Sequence, residues 1–152
     1  NPNGDSGGNN FTFASPCIGA NLHALYDAVG GELVLNWREK YEHWDALKKN
    51  ANTVDISPVK DIVEYKDFYT AWTKGAFFKQ FILESHRIAL SFVYSALDLT
   101  PIPGTRHVAC PPAWYIEKAK QICKSRIALG GKRLAFVLTR VAKQLHAKGL
   151  AA

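Results

Sequence analysis

Along most of the chain apolar residues recur three and four positions apart, the spacing that lines one face of a helix. Leu22, Leu25 and Tyr26 open the pattern in a helix from about Ala20 to Val29, which Gly30-Gly31 should stop. His23 and Asp27 share a flank of that helix. A second helix, about Glu32 to Ala51, carries Leu33, Trp37, Tyr41, Trp44 and Leu47 on one face and charges elsewhere. Ser57-Pro58 then reads as an N-cap and a first-turn proline, and Asp61 suits the positive end of the helix dipole. That third helix should reach about Trp72.

From Ala76 to Leu97 the apolar arc is wide, with Phe77, Phe78, Phe81, Ile82, Ile88, Ala89, Phe92, Val93 and Leu97, and predicts a central helix buried on more than one side. Residues 98–112 hold four prolines and one glycine and form an irregular connection. Beyond Pro112 the pattern is helical almost to the end, with Leu134, Leu138, Val141 and Leu145 on a stripe and Arg133, Arg140, Lys143 and Lys148 mainly off it. Gly130-Gly131 lies inside this run, where each glycine costs about 1 kcal/mol against alanine. Either the helix breaks there or a neighbour packs so closely that only glycine fits. At the other end, residues 3–9 are loop chemistry, and Asn9 to Phe13 alternates as a short strand, with Phe11 and Phe13 on one side. The fold class is therefore all-α, with one short strand or β-hairpin segment.

At 152 residues and 47% hydrophobic, the chain can bury a real core as one compact unit. No apolar run approaches the roughly 20 residues that span a bilayer, and no signal-peptide pattern opens the sequence. The absence of methionine and the start on Asn1-Pro2-Asn3-Gly4-Asp5 read as a processed or truncated segment. The net charge of +6 is uneven: residues 1–76 hold 7 Lys/Arg against 10 Asp/Glu, net −3, and residues 77–152 hold 12 against 3, net +9. A basic half of this kind either draws polyanions or forms a solvated helical surface.

Asn10-Phe11-Thr12 is an N-glycosylation sequon at Asn10 and favours an oxidising, secretory setting. In that setting Cys110 and Cys123 are expected to pair across a short loop, leaving Cys17 free or bonded elsewhere. His107-x-x-Cys110 lacks a second ligand pair, so a disulfide is favoured over a structural zinc. The chain has no Walker loop, dinucleotide fingerprint or G-x-S-x-G elbow.

His23 and Asp27, four apart, can both reach one zinc ion from a helix face. As an isolated pair they read more simply as residues of a solvated flank, and their surroundings change that. Gly4-Asp5-Ser6-Gly7-Gly8-Asn9, then a short strand, then Asn21-Leu22-His23 with Asp27 resembles the second half of the S1/P1 nuclease family, in which a GD-x-GGN loop leads to N-L-H-x-x-W-D. Tyr26 stands where tryptophan is usual. Arg126-Ile127-Ala128-Leu129-Gly130-Gly131-Lys132-Arg133-Leu134-Ala135 is similar to the closing helix of that family, R-I-A-x-G-G-x-R-L-A. Glu84-Ser85 through Ala89 to Val93-Tyr94 likewise resembles its E-S-x-x-L-A-x-x-x-V-Y helix.

The resemblance implies a multi-helix bundle of the phospholipase C/P1 nuclease type, of which residues 1–152 are the C-terminal portion. It implies close packing at Gly130-Gly131 within one long helix. It also implies a zinc-dependent phosphodiesterase and phosphomonoesterase, an endonuclease and 3′-nucleotidase acting on single-stranded DNA or RNA and on 3′-nucleotides. Three zinc ions serve such enzymes, and by motif His23 and Asp27 ligate one of them. Asn21 stands beside the site, to hold the histidine loop or touch a phosphate, and Gly7, Gly8 and Asn9 share that site-shaping role. The remaining ligands belong to an N-terminal portion that this sequence does not contain, so that portion is an expected partner and the isolated fragment is expected to be inactive. His43, His86, His107 and His146 sit in no family metal motif. The expected location is secreted or lumenal, or at the cell surface through a segment outside this stretch. The alternative is a non-catalytic helical fragment with a basic, polyanion-binding face.

Overall fold

The computed structural model describes residues 4–17, 19–31, 49, 65–74 and 76–150. Its elements are strands β1 (Thr12–Cys17) and β2 (Gly19–Asn21), and helices α1 (Leu22–Gly31), α2 (Tyr65–Thr73), α3 (Ala76–Ile88) and α4 (Ala113–Ala147). A π-helical turn, Ala89–Val93, follows α3 directly. The expected second helix, apart from Lys49, and the Ser57-Pro58 helix start lie outside the described residues, and α2 is the described end of the third helix. The chain is mostly helical, as its periodicity predicts. Among the described residues no helix is long and apolar enough to cross a membrane.

The chain divides into two compact units, residues 1–46 with 89–124 and residues 47–88 with 125–152. In the first unit β1 and β2 form an antiparallel hairpin, with Thr12 opposite Asn21 and Cys17 opposite Gly19. The strand thus begins later than the alternation from Asn9 suggested. Gly19 has φ +85°, and a side chain there would run into the α1 backbone at Ala24 and Leu25, so the hairpin can lead straight into the helix only with glycine.

Along α1, Leu22, Leu25 and Val29 point into the core at helical spacing. They meet Phe13, Val108, Tyr115 and Ala119. Phe92 stacks on Tyr115 with ring centroids 4.7 Å apart. The helix does not stop before Gly30-Gly31: both glycines are helical. The penalty for a helical glycine is small enough for the buried Val29 turn to carry the helix through them.

The proline-rich connection is pinned to the hairpin. Val108 bridges Phe13 in parallel, with Val108 N donating to Thr12 O at 2.9 Å and Ala14 N to Val108 O at 3.1 Å. That alignment brings Cys110 beside Cys17, Cα atoms 6.0 Å apart, and these two form the disulfide. The expected Cys110–Cys123 pair is therefore corrected. Cys123 is a free thiol on α4, partly buried against the core, and strand pairing, which loop length does not reveal, selects Cys17 instead.

In the second unit α2 packs on α3, and the later part of α4 meets α3 through charged groups. Glu84 accepts two hydrogen bonds from Arg133, each 2.8 Å, and one from Arg126 at 3.2 Å. Arg133 is buried, its guanidinium 4.6 Å from the centre of the Phe81 ring. Of the expected core stripe of α4 Val141 is half-buried, whereas Leu134, Leu138 and Leu145 are exposed, as is Ile127. So are Ile82 and Leu83 on α3, and in the first unit Leu90 of the π turn. Of the described residues on which the expected central helix rested, Ile82 is exposed and Phe81, Ile88, Ala89, Phe92, Val93 and Leu97 are half-buried, so its burial is partial. Likewise α4 runs unbroken through Gly130 and Gly131, but among the described residues nothing lies within 4 Å of where their side chains would be. The helix is continuous as expected, and no described residue packs closely at these glycines.

Candidate metal site at the start of helix α1

The site is built on a loop that only glycine-rich sequence can make. Ser6, Gly7 and Gly8 lie consecutively at φ +55°, +66° and +91°, a left-handed run that is costly for ordinary residues. Turn bonds from Gly8 N and Asn10 N to Asp5 O, both 3.2 Å, close it. Asp5 adds its side chain, Oδ1 accepting from Gly7 N at 3.1 Å. A side chain at Gly8 would stand 3.1 Å from His23 N and 3.3 Å from Leu22 Cβ, so the loop lies hard against the start of α1.

Asn21 caps that helix, its Oδ1 accepting from Ala24 N at 2.8 Å. Its Nδ2 reaches back to Asn9 Oδ1 at 3.4 Å, while Asn9 Nδ2 donates to Ser6 O at 2.8 Å. Asn21 and Asn9 therefore tie loop and helix start together. Asn10 is exposed on the loop.

His23 and Asp27 emerge on the outer flank of α1, their side chains 50% and 74% exposed. His23 Nδ1 lies 3.1 Å from Gly7 O. A carbonyl oxygen only accepts, so this bond places a proton on Nδ1 and leaves Nε2 as the nitrogen available to a metal. Nε2 stands 3.4 Å from Asp27 Oδ2. Ligands at about 2.0–2.2 Å around a tetrahedral zinc are roughly 3.3–3.6 Å apart, so this pair fits two positions of one ion. Two positions are not a complete site, and among the described residues no group of three or more His, Cys, Asp or Glu converges. His107, by contrast, meets the Thr12 hydroxyl at 3.0 Å, its neighbour Cys110 is in the disulfide, and His86 and His146 are exposed.

Behind the loop lie two tyrosine contacts that sequence reasoning did not assign. Tyr94 donates its hydroxyl to Asp5 Oδ2 at 2.5 Å. The bond holds the Asp5 carboxyl below its ordinary range and, with burial, pushes the Tyr94 phenol up to about 12. Tyr115 donates to Val93 O at 2.9 Å, so in the 2.9 Å contact between Tyr26 and Tyr115 the donor is Tyr26. Burial foremost, and this bond next, raise the Tyr26 phenol. The signal for these residues was already in the quoted motifs: Asp5 belongs to the glycine loop and Tyr94 closes the Glu84 to Tyr94 run.

The same motifs are explained in the second unit. Arg126 and Arg133 are two helical turns apart on one face of α4, and Glu84 lies between them. Glu84, held ionised below its ordinary range chiefly by Arg133, is structural there.

A family model described as S1/P1 Nuclease matches residues 1–143. Neither a curated protein nor a solved structure gives a significant match. The chain belongs to the S1/P1 nuclease family. The predominantly helical fold agrees with that membership, and the family is one of nucleases of the typically zinc-dependent kind, with nucleic acid as the class of substrate.

Proposed function

We propose that the chain is the C-terminal portion of a secreted or lumenal zinc-dependent phosphodiesterase and 3′-nucleotidase that cleaves single-stranded DNA or RNA and releases phosphate from 3′-nucleotides. The observation that carries the proposal is the presentation of His23 Nε2 beside Asp27 Oδ2, 3.4 Å apart, on the motif helix of a family member. His23 and Asp27 hold one ion of a three-zinc site, His23 as a neutral donor and Asp27 as the group that offsets part of the metal charge. When bound, zinc supplies Lewis-acid polarisation of the phosphoryl group and stabilises charge on the leaving 3′-oxygen. Gly7, Gly8, Asn9 and Asn21 hold the histidine ring in place. The exposed sequon at Asn10 and the Cys17–Cys110 disulfide suit an oxidising compartment.

The remaining ligands come from a preceding portion of the same enzyme. The exposed apolar residues of α4, Ile127, Leu134 and Leu138, are suited to packing against such a portion. The test is hydrolysis of single-stranded DNA and of a 3′-nucleotide by the chain joined to its preceding portion, with and without zinc. His23→Ala should lower the rate by at least about a hundredfold, since one lost ligand weakens metal binding by at least the 10–100-fold seen for outer-shell changes. An unchanged rate in His23→Ala sinks the assignment.

A second reading, a non-catalytic polyanion-binding fragment, is favoured by one feature: no acidic residue follows Glu117, while lysine and arginine continue to Lys148. It requires zinc-independent binding of single strands that weakens steeply with salt. Cleavage by the reconstituted protein together with salt-insensitive behaviour of the isolated chain would leave only the enzyme.

A further inference from the structure

Asp5 and Tyr94 connect the core to His23 through the glycine loop. Their segments are 89 residues apart in sequence, and the π turn at Ala89–Val93 makes the meeting possible. Tyr94 N bonds to Ala89 O, five residues back, so one residue more than an α-turn is accommodated and everything after it is rotated about the helix axis. After that rotation Phe92 stacks on Tyr115 while the Tyr94 ring packs 6.3 Å from Phe11, its hydroxyl on Asp5. Asp5 has its two oxygens in different places, one on Tyr94 and one on Gly7 N. The carbonyl of that same Gly7 receives His23 Nδ1.

We propose that Asp5 and Tyr94 are positioning residues for His23: the Tyr94 hydroxyl fixes the Asp5 carboxylate, which holds the N–H of Gly7 on one side of that residue, while Asp5 O holds the N–H of the next peptide, Gly7–Gly8, whose carbonyl keeps the proton on His23 Nδ1 and Nε2 free. The order of contacts carries this. Gly7 and Gly8 have no side chains to hold the peptide between them, so the orientation of the Gly7 carbonyl depends on bonds from neighbouring groups. Asp5 holds both peptides that flank Gly7, one through its carboxylate and one through its backbone carbonyl, and Tyr94 prevents the carboxylate from turning away to water. The group farthest from His23 in this series of contacts is thus the phenol of Tyr94, just after the π turn. Partners that orient the non-ligating nitrogen of a metal-binding histidine set its tautomer and basicity, and losing one typically weakens metal binding 10–100-fold.

The proposal rests on the zinc reading only for its second readout. The first is the ring-nitrogen chemical shifts of His23 by nuclear magnetic resonance in the metal-free chain, which report the tautomer. The second is zinc titration followed on the same ring in the chain joined to its preceding portion. Tyr94→Phe removes one hydroxyl, and Asp5→Ala removes the carboxylate in case the phenol alone is compensated by water. Both should shift His23 from the Nδ1-protonated form towards a mixture with the Nε2-protonated form and weaken zinc binding about tenfold. Glu84→Gln, which loosens the other compact unit, should do neither. Unchanged His23 shifts in both loop variants overturn the proposal, as does an equal shift in Glu84→Gln, which would make the effect general loosening. If the parent chain joined to its preceding portion does not bind zinc at His23 but Tyr94→Phe still changes the tautomer, the zinc reading fails and the positioning role stands. Zinc binding with an unchanged tautomer in both variants gives the reverse.

Discussion

Arg133 grips Glu84 with both terminal nitrogens, one to each carboxylate oxygen at 2.8 Å, and is itself buried. Such a fork is the strong form of an ion pair, and here it joins α3 to α4 inside one compact unit. Replacing Glu84 by Ala leaves a buried guanidinium without its carboxylate, and unfolding free energy should fall by about 3 kcal/mol. Denaturant titration measures it. The sign with pH follows from the lowered carboxyl: the contribution is complete above the ordinary glutamate value of 4.5 and disappears as pH falls through the lower folded value. Acid unfolding of the parent should therefore be steeper than that of Glu84→Ala, and parallel acid limbs would contradict it.

Gly130 and Gly131 give a prediction that changes sign with context. Both are mid-helix, and no described residue stands where a side chain would go. In the 152-residue chain Gly130→Ala and Gly131→Ala should each stabilise by roughly 0.5–1 kcal/mol, the ordinary helix propensity gain. If the preceding portion of the enzyme packs closely there, the same changes should weaken its association. Thermal unfolding of the chain and affinity for the preceding portion are the two measurements, and neutral effects in both would remove any special role for the pair.

The Cys17–Cys110 disulfide closes a sequence separation of 93 residues. In the chain-entropy model a loop of that size is worth about 4–5 kcal/mol, less any structure kept by the reduced chain. Peptide mapping without reduction should link the Cys17 and Cys110 peptides. Cys123, whose thiol is pushed up by burial, should be alkylated slowly in the folded protein and rapidly after denaturation. A Cys110–Cys123 linked peptide would count against this arrangement.

These cases show which features the sequence made legible. The α1 face of Leu22 and Leu25, the flank shared by His23 and Asp27, and the continuity of α4 follow from helical periodicity, a local property. The Cys17 partner did not, because it depends on Val108 pairing with Phe13 across 95 residues of chain. Arg133 was placed off the α4 stripe by its polarity, and it is the buried one, because a bidentate partner outweighs hydrophobic patterning. The residues behind His23 were inside recognised motifs, but a motif names residue types and not contacts. Only the left-handed loop and the π turn bring Asp5 and Tyr94 together.

The Tyr94 to Asp5 bond also predicts how stability responds at both ends of the pH scale. The Tyr94 phenol is raised from 10.0 to about 12 in the folded chain, so its contribution is present below pH 10 and is lost as pH rises towards 12. Asp5, lowered from 3.8, contributes above that value and loses its contribution as pH falls through the folded one. Tyr94→Phe removes the alkaline contribution directly and the largest part of the acid one, because the Tyr94 hydroxyl is the chief cause of the lowered Asp5 value. Stability measured by denaturant at several pH values should therefore show a flatter profile in Tyr94→Phe than in the parent, on both limbs. Tyr26→Phe should flatten the alkaline limb alone, since Tyr26 bonds to Tyr115 and not to a carboxylate. A loss of the acid dependence in Tyr26→Phe would mean that the two tyrosine contacts act as one network, and would move the anchor of the loop from Tyr94 to the whole tyrosine cluster.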